Sequence, residues 1–124
     1  MGRTVKSISI LLGSAALALL PTSATGQFNN PPTANDNALT VWVCQDKSIN
    51  VTANDTDPEG NYPLTVTSVA QSYLGALDVT SASTITFYAS DIPGNDVVAY
   101  TVEDSLGASS TGYLYLFSKS RICP

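Results

Sequence analysis

Hydrophobic and polar residues alternate along most of the chain after residue 37. Seven short runs rich in Val, Thr, Ile and Tyr recur there between turn-forming residues: 39–44, 48–53, 64–70, 75–80, 83–89, 97–103 and 110–118. A period of two is typical of strands that bury one face, whereas helical spacing is absent after residue 26. The pattern therefore predicts seven β-strands.

Seven short strands in about 100 residues favour a sandwich of two packed sheets. Two sets of alternate residues are expected to face its core: Ile49, Val51 and Ala53 in the second strand, and Val98, Tyr100 and Val102 in the sixth. Tyr100 also has the spacing of a tyrosine corner, in which a tyrosine hydroxyl bonds to the backbone a few residues upstream.

The first residues have a different composition. Residues 1–26 combine two positive charges, an apolar run over 8–20 and small residues at the end, which is the pattern of a secretory signal. The run is too short to span a bilayer. Residues 27–37 then form an extended, proline-containing lead-in, and residues 38–124 the sandwich. We expect a secreted protein, extracellular, at the cell surface or periplasmic, that does not insert into membranes.

Charge excludes one class of partner. The whole chain has 5 basic and 10 acidic residues, and removing the signal takes two basic residues, so the net charge falls from −5 to 3 − 10 = −7. Lys47, Lys119 and Arg121 are too few to neutralise a run of phosphates. Nucleic-acid binding is therefore not expected.

Two cysteines, Cys44 and Cys123, lie near opposite ends of the exported chain. Export to an oxidising compartment predicts a disulfide between them, with free thiols or an intermolecular bridge as the alternatives. A bridge that closes a loop of roughly 80 residues is worth about 4.5 kcal/mol by the loop-closure model.

Three motifs occur in a familiar order: PTANDN at residues 32–37, INVTANDTDPEGNYPLTVTSV at 49–69 and GNDVVAYTVEDSLG at 94–107. They resemble the opening, middle and closing motifs of bacterial immunoglobulin-like or cadherin-like repeats, which are strung in tandem through surface adhesins. The resemblance implies a seven-stranded immunoglobulin-like sandwich. A single copy with its own disulfide departs from such arrays, so a role as a spacer does not follow automatically.

Acidic residues suggest a metal site. In ANDTDPEGN, residues 53–61, acids alternate before Gly60, an arrangement that can offer several oxygens to calcium. The topology of the sandwich brings five acids to one pole as candidate calcium ligands: Asp36, Asp55, Asp57, Glu59 and Asp104. The alternative is a polar turn, because Asp and Asn also bond to nearby backbone amides.

Aromatic residues suggest a binding surface. On the last strand Leu114 and Leu116 alternate with aromatic residues, and a tryptophan occupies the first strand, so the candidate ridge consists of Trp42, Tyr113, Tyr115 and Phe117. If the leucines face the core, the aromatics point outward and can stack on a glycan or a protein partner. The alternative is that they cover the disulfide or the sheet edge.

Catalytic chemistry has little support, because the chain has no histidine and no insertion that would form a pocket. We therefore expect a secreted, non-enzymatic module for extracellular binding or adhesion. The alternative is a structural subunit that assembles with copies of itself into a filament or matrix. In that case residues 27–37 would pair with a neighbour's exposed strand edge.

Overall fold

A computed structural model describes residues 28–124. Within this range the chain forms seven strands: β1 Asn37–Trp42, β2 Asp46–Asn50, β3 Thr65–Val69, β4 Gly75–Val79, β5 Thr84–Ala89, β6 Gly94–Glu103 and β7 Ser109–Lys119. Each strand overlaps one run predicted from the alternation. The secretory signal predicted for residues 1–26 lies outside the described residues.

The strands form two sheets. β1, β7, β6 and β3 lie in that order in a four-stranded sheet, and β2, β5 and β4 form a three-stranded sheet. β1 runs parallel to β7, whereas the other strand pairs are antiparallel. Two such sheets over one core make an immunoglobulin-like sandwich, so the predicted fold class is confirmed.

The core lies between the sheets and is built from alternate residues of the strands. Its cluster consists of Leu39, Val41, Val51, Leu64, Val66, Leu74, Leu77, Ile85, Phe87, Ala89, Val98, Tyr100, Val102, Leu114 and Leu116. Each fully buried Val, Leu or Phe contributes about 1.5–3 kcal/mol relative to an exposed side chain. The predicted inward set of the sixth strand is confirmed.

The predicted inward position of Ala53 is wrong. β2 ends at Asn50, whose side-chain Oδ1 accepts a hydrogen bond from the backbone N–H of Thr52 at 3.2 Å. A short polar side chain that takes up a backbone N–H in this way competes with the strand ladder. The chain therefore turns, and Ala53 is exposed although Ile49 and Val51 contact the core.

Tyr100 is buried as predicted, but it does not form a tyrosine corner. Its hydroxyl donates to the carbonyl of Asn35 at 2.8 Å and accepts from Nδ2 of Asn37 at 2.7 Å. Gly112 lies opposite Tyr100 on β7, and a Cβ there would lie 2.6 Å from the tyrosine ring. The lack of a side chain at Gly112 leaves space for the Tyr100 ring. The hydrogen bonds of the Tyr100 hydroxyl then hold the N-terminal segment against the core.

The predicted disulfide between Cys44 and Cys123 is confirmed, with 5.8 Å between the Cα atoms. Cys44 has a left-handed φ of 62°, in a turn where the N–H of Gln45 donates to the carbonyl of Trp42 at 3.2 Å. This turn carries the chain from the four-stranded to the three-stranded sheet. We call this end of the sandwich the disulfide pole.

Candidate functional site

The opposite end of the sandwich, which we call the acidic pole, carries the five predicted calcium ligands: Asp36, Asp55, Asp57, Glu59 and Asp104. The loop 54–61 contacts the N-terminal segment through backbone hydrogen bonds between Thr33 and Thr56. The same loop contacts the turn after β6, because the N–H of Ser105 donates to the carbonyl of Asn61 at 3.0 Å. The three segments that were expected at one pole therefore meet there.

The carboxylates themselves do not converge. Within residues 28–124, no three Asp, Glu, His or Cys side chains form a group that could hold a metal ion. Three of the acids are buried and two lie nearer the surface, and each makes its own set of contacts. The predicted calcium site stays a prediction.

Asp57 closes the turn within its loop. Its Oδ2 accepts hydrogen bonds from the backbone N–H groups of Glu59 at 3.1 Å and Asn61 at 2.9 Å. Gly60 has a left-handed φ of 75°, which costs a glycine little, and the hydroxyl of Tyr62 accepts from the N–H of Asp57 at 3.1 Å. These are the contacts of the polar turn that was the alternative to a calcium loop.

Asp104 closes the turn between β6 and β7, also by accepting hydrogen bonds from backbone N–H groups. Its Oδ1 accepts from the N–H groups of Leu106 at 2.9 Å and Ala108 at 3.0 Å, and from Nδ2 of Asn29 at 3.4 Å. Burial disfavours the charged carboxylate, but these donors outweigh it and hold the pKa of Asp104 below its ordinary value. The ionised form of Asp104 is therefore part of the folded structure.

Asp55 lies in a less polar setting. Its Oδ1 accepts one hydrogen bond, from the backbone N–H of Asn35 at 2.8 Å. Burial outweighs that bond and raises the pKa of Asp55. Together with Asp36, it also lies near the phenol of Tyr100, where burial is the main cause that raises the pKa of Tyr100 to about 12.

Asparagines of the N-terminal segment are functional residues that the sequence reasoning missed. Asn30 donates its backbone N–H and its Nδ2 to the carboxylate of Glu59, at 3.1 and 2.6 Å. Asn29 bridges Asp104 and Asn61, and Asn35 also donates to the carbonyl of Asn54 at 2.6 Å. The signal is the concentration of asparagines in residues 29–37, a stretch whose prolines and lack of an apolar period predict only an extended lead-in.

Among residues 28–124, the second carboxylate oxygen of each buried acid has no hydrogen-bond partner: Asp55 Oδ2, Asp57 Oδ1 and Asp104 Oδ2. A buried carboxylate oxygen normally has a partner, since desolvation without one costs free energy. A cation bound at the acidic pole would contact these oxygen atoms. Each acid nevertheless belongs to a separate turn or segment. The main role of these carboxylates is therefore to accept hydrogen bonds that hold the backbone in place.

The outer face of the four-stranded sheet carries an aromatic row, Tyr113, Tyr115 and Phe117. Because Leu114 and Leu116 of β7 face the core, the residues that alternate with them point outward. The three rings are 45, 41 and 37% exposed. More than half of each ring is covered by neighbours, and the rest is open to solvent.

Small or uncharged side chains flank the aromatic row. The cross-strand partners on β1 and β6 are Ala38, Thr40, Asn95, Val97 and Ala99. Charged side chains lie at the margins of this face: Lys119 at the disulfide pole, Asp36 and Glu103 at the acidic pole, and Lys47 at the edge of β1. The centre of the face is therefore uncharged, and it combines aromatic rings with small side chains and the polar groups of Thr40 and Asn95.

Trp42 lies on the outer face of β1, beside the end of the aromatic row. The Nζ of Lys119 lies 4.4 Å from the centroid of the Trp42 ring, within the range of a cation–π interaction. One side of the indole is thus already occupied. The predicted ridge of four aromatics is an open row of three, with a Trp42 and Lys119 pair at its end.

Hydrogen bonds within the chain occupy groups at three strand edges, those of β4, β3 and β1. At the edge of β4, Gln71 accepts from the N–H of Leu77 at 3.0 Å and donates to its carbonyl at 2.8 Å. At the edge of β3, the N–H of Val66 donates to the carbonyl of Ala82 at 2.8 Å. These bonds occupy groups that a strand from another molecule would need.

Two groups at the edge of β1 are bonded in the same way. Lys47 Nζ donates to the carbonyl of Thr40 at 3.0 Å, and the N–H of Trp42 donates to Oε1 of Gln45 at 2.9 Å. Lysine at a sheet edge is also a common protection against edge-to-edge pairing. Neither Lys47 nor Gln45 was singled out in the sequence, because capping depends on which strand lies at an edge.

The two-sheet topology and the buried core define the class of the protein as an immunoglobulin-like β-sandwich. A family model described as Bacterial Ig domain matches residues 29–116. The chain belongs to this family, as its motifs suggested. None of the curated proteins matches the chain significantly.

Two solved structures with the same fold come from larger proteins. One, from Bacteroides fragilis NCTC 9343 and named as an alpha-galactosidase, matches with a TM-score of 0.53 and 18% identity over 73% of this chain and 18% of that chain. The other, a nucleoside hydrolase-related protein from Saccharophagus degradans that is associated with carbohydrate metabolism, has a TM-score of 0.52 and 15% identity over 73% and 26%. At these identities the likeness concerns the fold alone.

The chain spans only about a fifth to a quarter of the two solved structures that it matches. No helix within residues 28–124 is long and apolar enough to cross a membrane.

Proposed function

We propose that this chain is a non-enzymatic extracellular module that binds a partner through the aromatic row on its four-stranded sheet. The observation that carries this proposal is the position of Tyr113, Tyr115 and Phe117 on β7, an interior strand whose outer face is open. The outer face of a sheet that buries its other face in a core is ordinarily polar where it meets water. A contiguous exposed apolar patch instead marks an interaction surface.

Membership in the bacterial immunoglobulin domain family supports the extracellular, non-enzymatic part of the proposal. The two similar solved structures carry names linked to carbohydrate chemistry, but the match covers a small part of each. Neither named activity is transferred to this chain. The likeness is consistent with an accessory module that accompanies chemistry performed elsewhere.

The alternative is a structural subunit that assembles by strand addition. Two observations weigh against it: the edges of β1, β3 and β4 are bonded within the chain, and residues 28–37 are engaged at the acidic pole of their own domain. A donor strand would have to break these contacts before it could pair with a neighbour. A discrete binding domain requires no such rearrangement.

Matched tyrosine variants test the proposal. Tyr115→Thr removes the central ring of the row and keeps a residue that favours strands. Tyr88→Thr is the control, because Tyr88 lies on the interior strand β5 of the other sheet and is 37% exposed. We expect the native protein and the Tyr88 variant to bind bacterial cell-surface preparations, with the Tyr115 variant impaired.

Three results would contradict the proposal. Hydrolysis of a panel of glycans, esters or peptides by the purified protein would make it an enzyme. Concentration-dependent fibres that disappear when residues 28–36 are deleted would favour the structural alternative. Equal binding by both tyrosine variants would place any interaction surface away from the aromatic row.

A further inference from the structure

We infer that the aromatic row is a platform for a neutral polysaccharide, bound as an extended chain or as the surface of an insoluble fibre. The inference rests on the proposed function and names the chemical class of the partner. It follows from the shape of the row, the side chains beside it and the distribution of charge.

The shape of the row is linear. Successive rings lie two residues apart on one strand, so their spacing is about 7 Å and the row from Tyr113 to Phe117 is about 14 Å long. No pocket opens on the surface formed by residues 28–124. A straight, open row suits a rod-like ligand that lies across it, and it offers no enclosure for a small molecule.

The neighbouring side chains suit sugars. A pyranose ring has apolar C–H faces that stack on aromatic rings and a rim of hydroxyl groups that need hydrogen-bond partners. Tyr113 and Tyr115 supply both kinds of contact, since each has an apolar ring and a polar tip. Thr40 and Asn95 flank Phe117 on either side and carry hydroxyl and amide groups at the height of the sheet.

The net charge of the domain favours a neutral polysaccharide over other partners. Residues 28–124 carry 3 basic and 10 acidic residues, a net charge of 3 − 10 = −7. This charge opposes a second copy of the chain and any anionic surface. The acids lie away from the centre of the aromatic face, so the face offers a cationic protein no counter-charge there. An uncharged ligand meets neither obstacle.

Sedimentation with insoluble polysaccharides tests the inference. The purified protein is mixed with microcrystalline cellulose, chitin, insoluble mannan or insoluble xylan, and the protein left in solution is measured over a range of concentrations. We expect saturable retention on at least one of them. Tyr115→Thr is expected to weaken retention about tenfold, the loss of one well-placed aromatic contact and its buried area, whereas Tyr88→Thr leaves it unchanged.

Thermal melting of both variants provides the folding check, and Phe117→Thr provides a second variant should Tyr115→Thr fail to fold. Absence of retention on all four polysaccharides would overturn the inference, and so would equal retention of both tyrosine variants. A dimer in solution that Tyr115→Thr dissociates would identify a second copy of the chain as the occupant of the row. That result would also overturn the inference, but it would support the aromatic row as a binding face. Release of reducing sugar in the same tubes would instead overturn the non-enzymatic proposed function.

Discussion

At one end of the sandwich, the bond between Cys44 and Cys123 ties the C-terminal segment to the turn between the two sheets. At the other end, hydrogen bonds hold residues 28–37 against the loops, together with the packing of Ala34 against the core. The acceptors there include the carboxylates of Asp55, Asp104 and Glu59 as well as backbone carbonyls, and the donors include asparagine amides and backbone N–H groups. Both ends fix a chain terminus, but they do so by different chemistry.

The difference predicts different sensitivities. A disulfide stabilises mainly by restricting the unfolded chain, so its contribution does not depend on the protonation of nearby acids. The hydrogen bonds at the acidic pole exist only in the folded state and depend on which carboxylates are ionised. Reduction should therefore act at one end of the molecule and mild acid at the other.

The largest expected effect is loss of the disulfide. Replacing both Cys44 and Cys123 by Ser opens a loop with a sequence separation of 79 residues. The loop-closure model gives a loss of about 4.5 kcal/mol in the free energy of unfolding. For a domain of this size the melting temperature should fall by roughly 20 °C or more. Urea and thermal denaturation measure both quantities.

A reducing agent provides the control for this experiment. It should lower the melting temperature of the native protein towards that of the double variant and leave the variant unchanged. A loss below about 1 kcal/mol would mean that the unfolded chain is already restricted without the covalent bond, which would contradict the loop-closure account.

The disulfide and the strands were predictable from sequence for simple reasons. Two cysteines have one intramolecular pairing, which the predicted export favours, and burial of one face per strand imposes a period of two that is visible in residues such as Val98, Tyr100 and Val102. Ala53 follows the same period but lies beyond the end of its strand. The turn that excludes it depends on one side-chain hydrogen bond at Asn50, which alternation does not reveal.

The acidic pole was predictable only in part. Topology alone brought the loop 54–61 and the turn at Asp104 to one end of the sandwich. Which donor meets each carboxylate depends on the path of residues 28–37, and that path is set by long-range contacts such as Tyr100 with Asn35. The outward direction of Tyr113, Tyr115 and Phe117 followed from the leucines between them, whereas the pairing of Trp42 with Lys119 required the strand register.

Loss of the Tyr100 hydroxyl should have the next largest effect. Tyr100→Phe keeps the buried ring but leaves the carbonyl of Asn35 and the side chain of Asn37 each without one partner. The expected loss in the free energy of unfolding is about 1–3 kcal/mol. Tyr113→Phe is the control, since its hydroxyl lies on an exposed side chain, and it should change stability little. Equal losses of stability in the two variants would mean that the Tyr100 hydroxyl does not anchor the acidic pole.

Two buried acids should respond to pH in opposite directions. Burial raises the folded-state pKa of Asp55 above 3.8, so its contribution to stability is present below about pH 3.8 and is lost as the pH rises through the raised pKa. The donors around Asp104 outweigh the effect of burial and lower its folded-state pKa. Its contribution is therefore present above about pH 3.8 and is lost as the pH falls through the lowered pKa.

Asp55→Asn and Asp104→Asn test these signs, because neither amide titrates. Urea denaturation between pH 3 and 7 gives the stability of the native protein minus that of each variant. With rising pH this difference should grow for Asp104→Asn and shrink for Asp55→Asn. If this difference changed with pH in the same direction for both variants, the acids of the pole would titrate as one unit. The cysteine double variant should show the same pH dependence as the native protein.

Calcium should have the smallest effect on the acidic pole. The melting temperature of the oxidised protein is compared in chelator, in millimolar calcium and in millimolar magnesium as the control. Because amide and backbone donors already occupy one oxygen of each buried acid and no three acids of residues 28–124 converge, we expect a shift below about 2 °C. Binding at 100 times the dissociation constant would instead add about 2.7 kcal/mol, or roughly 10 °C. A rise of that size, specific to calcium and abolished by Asp55→Ala and Asp57→Ala, would establish the site predicted from the sequence and make the acidic pole a metal-stabilised end.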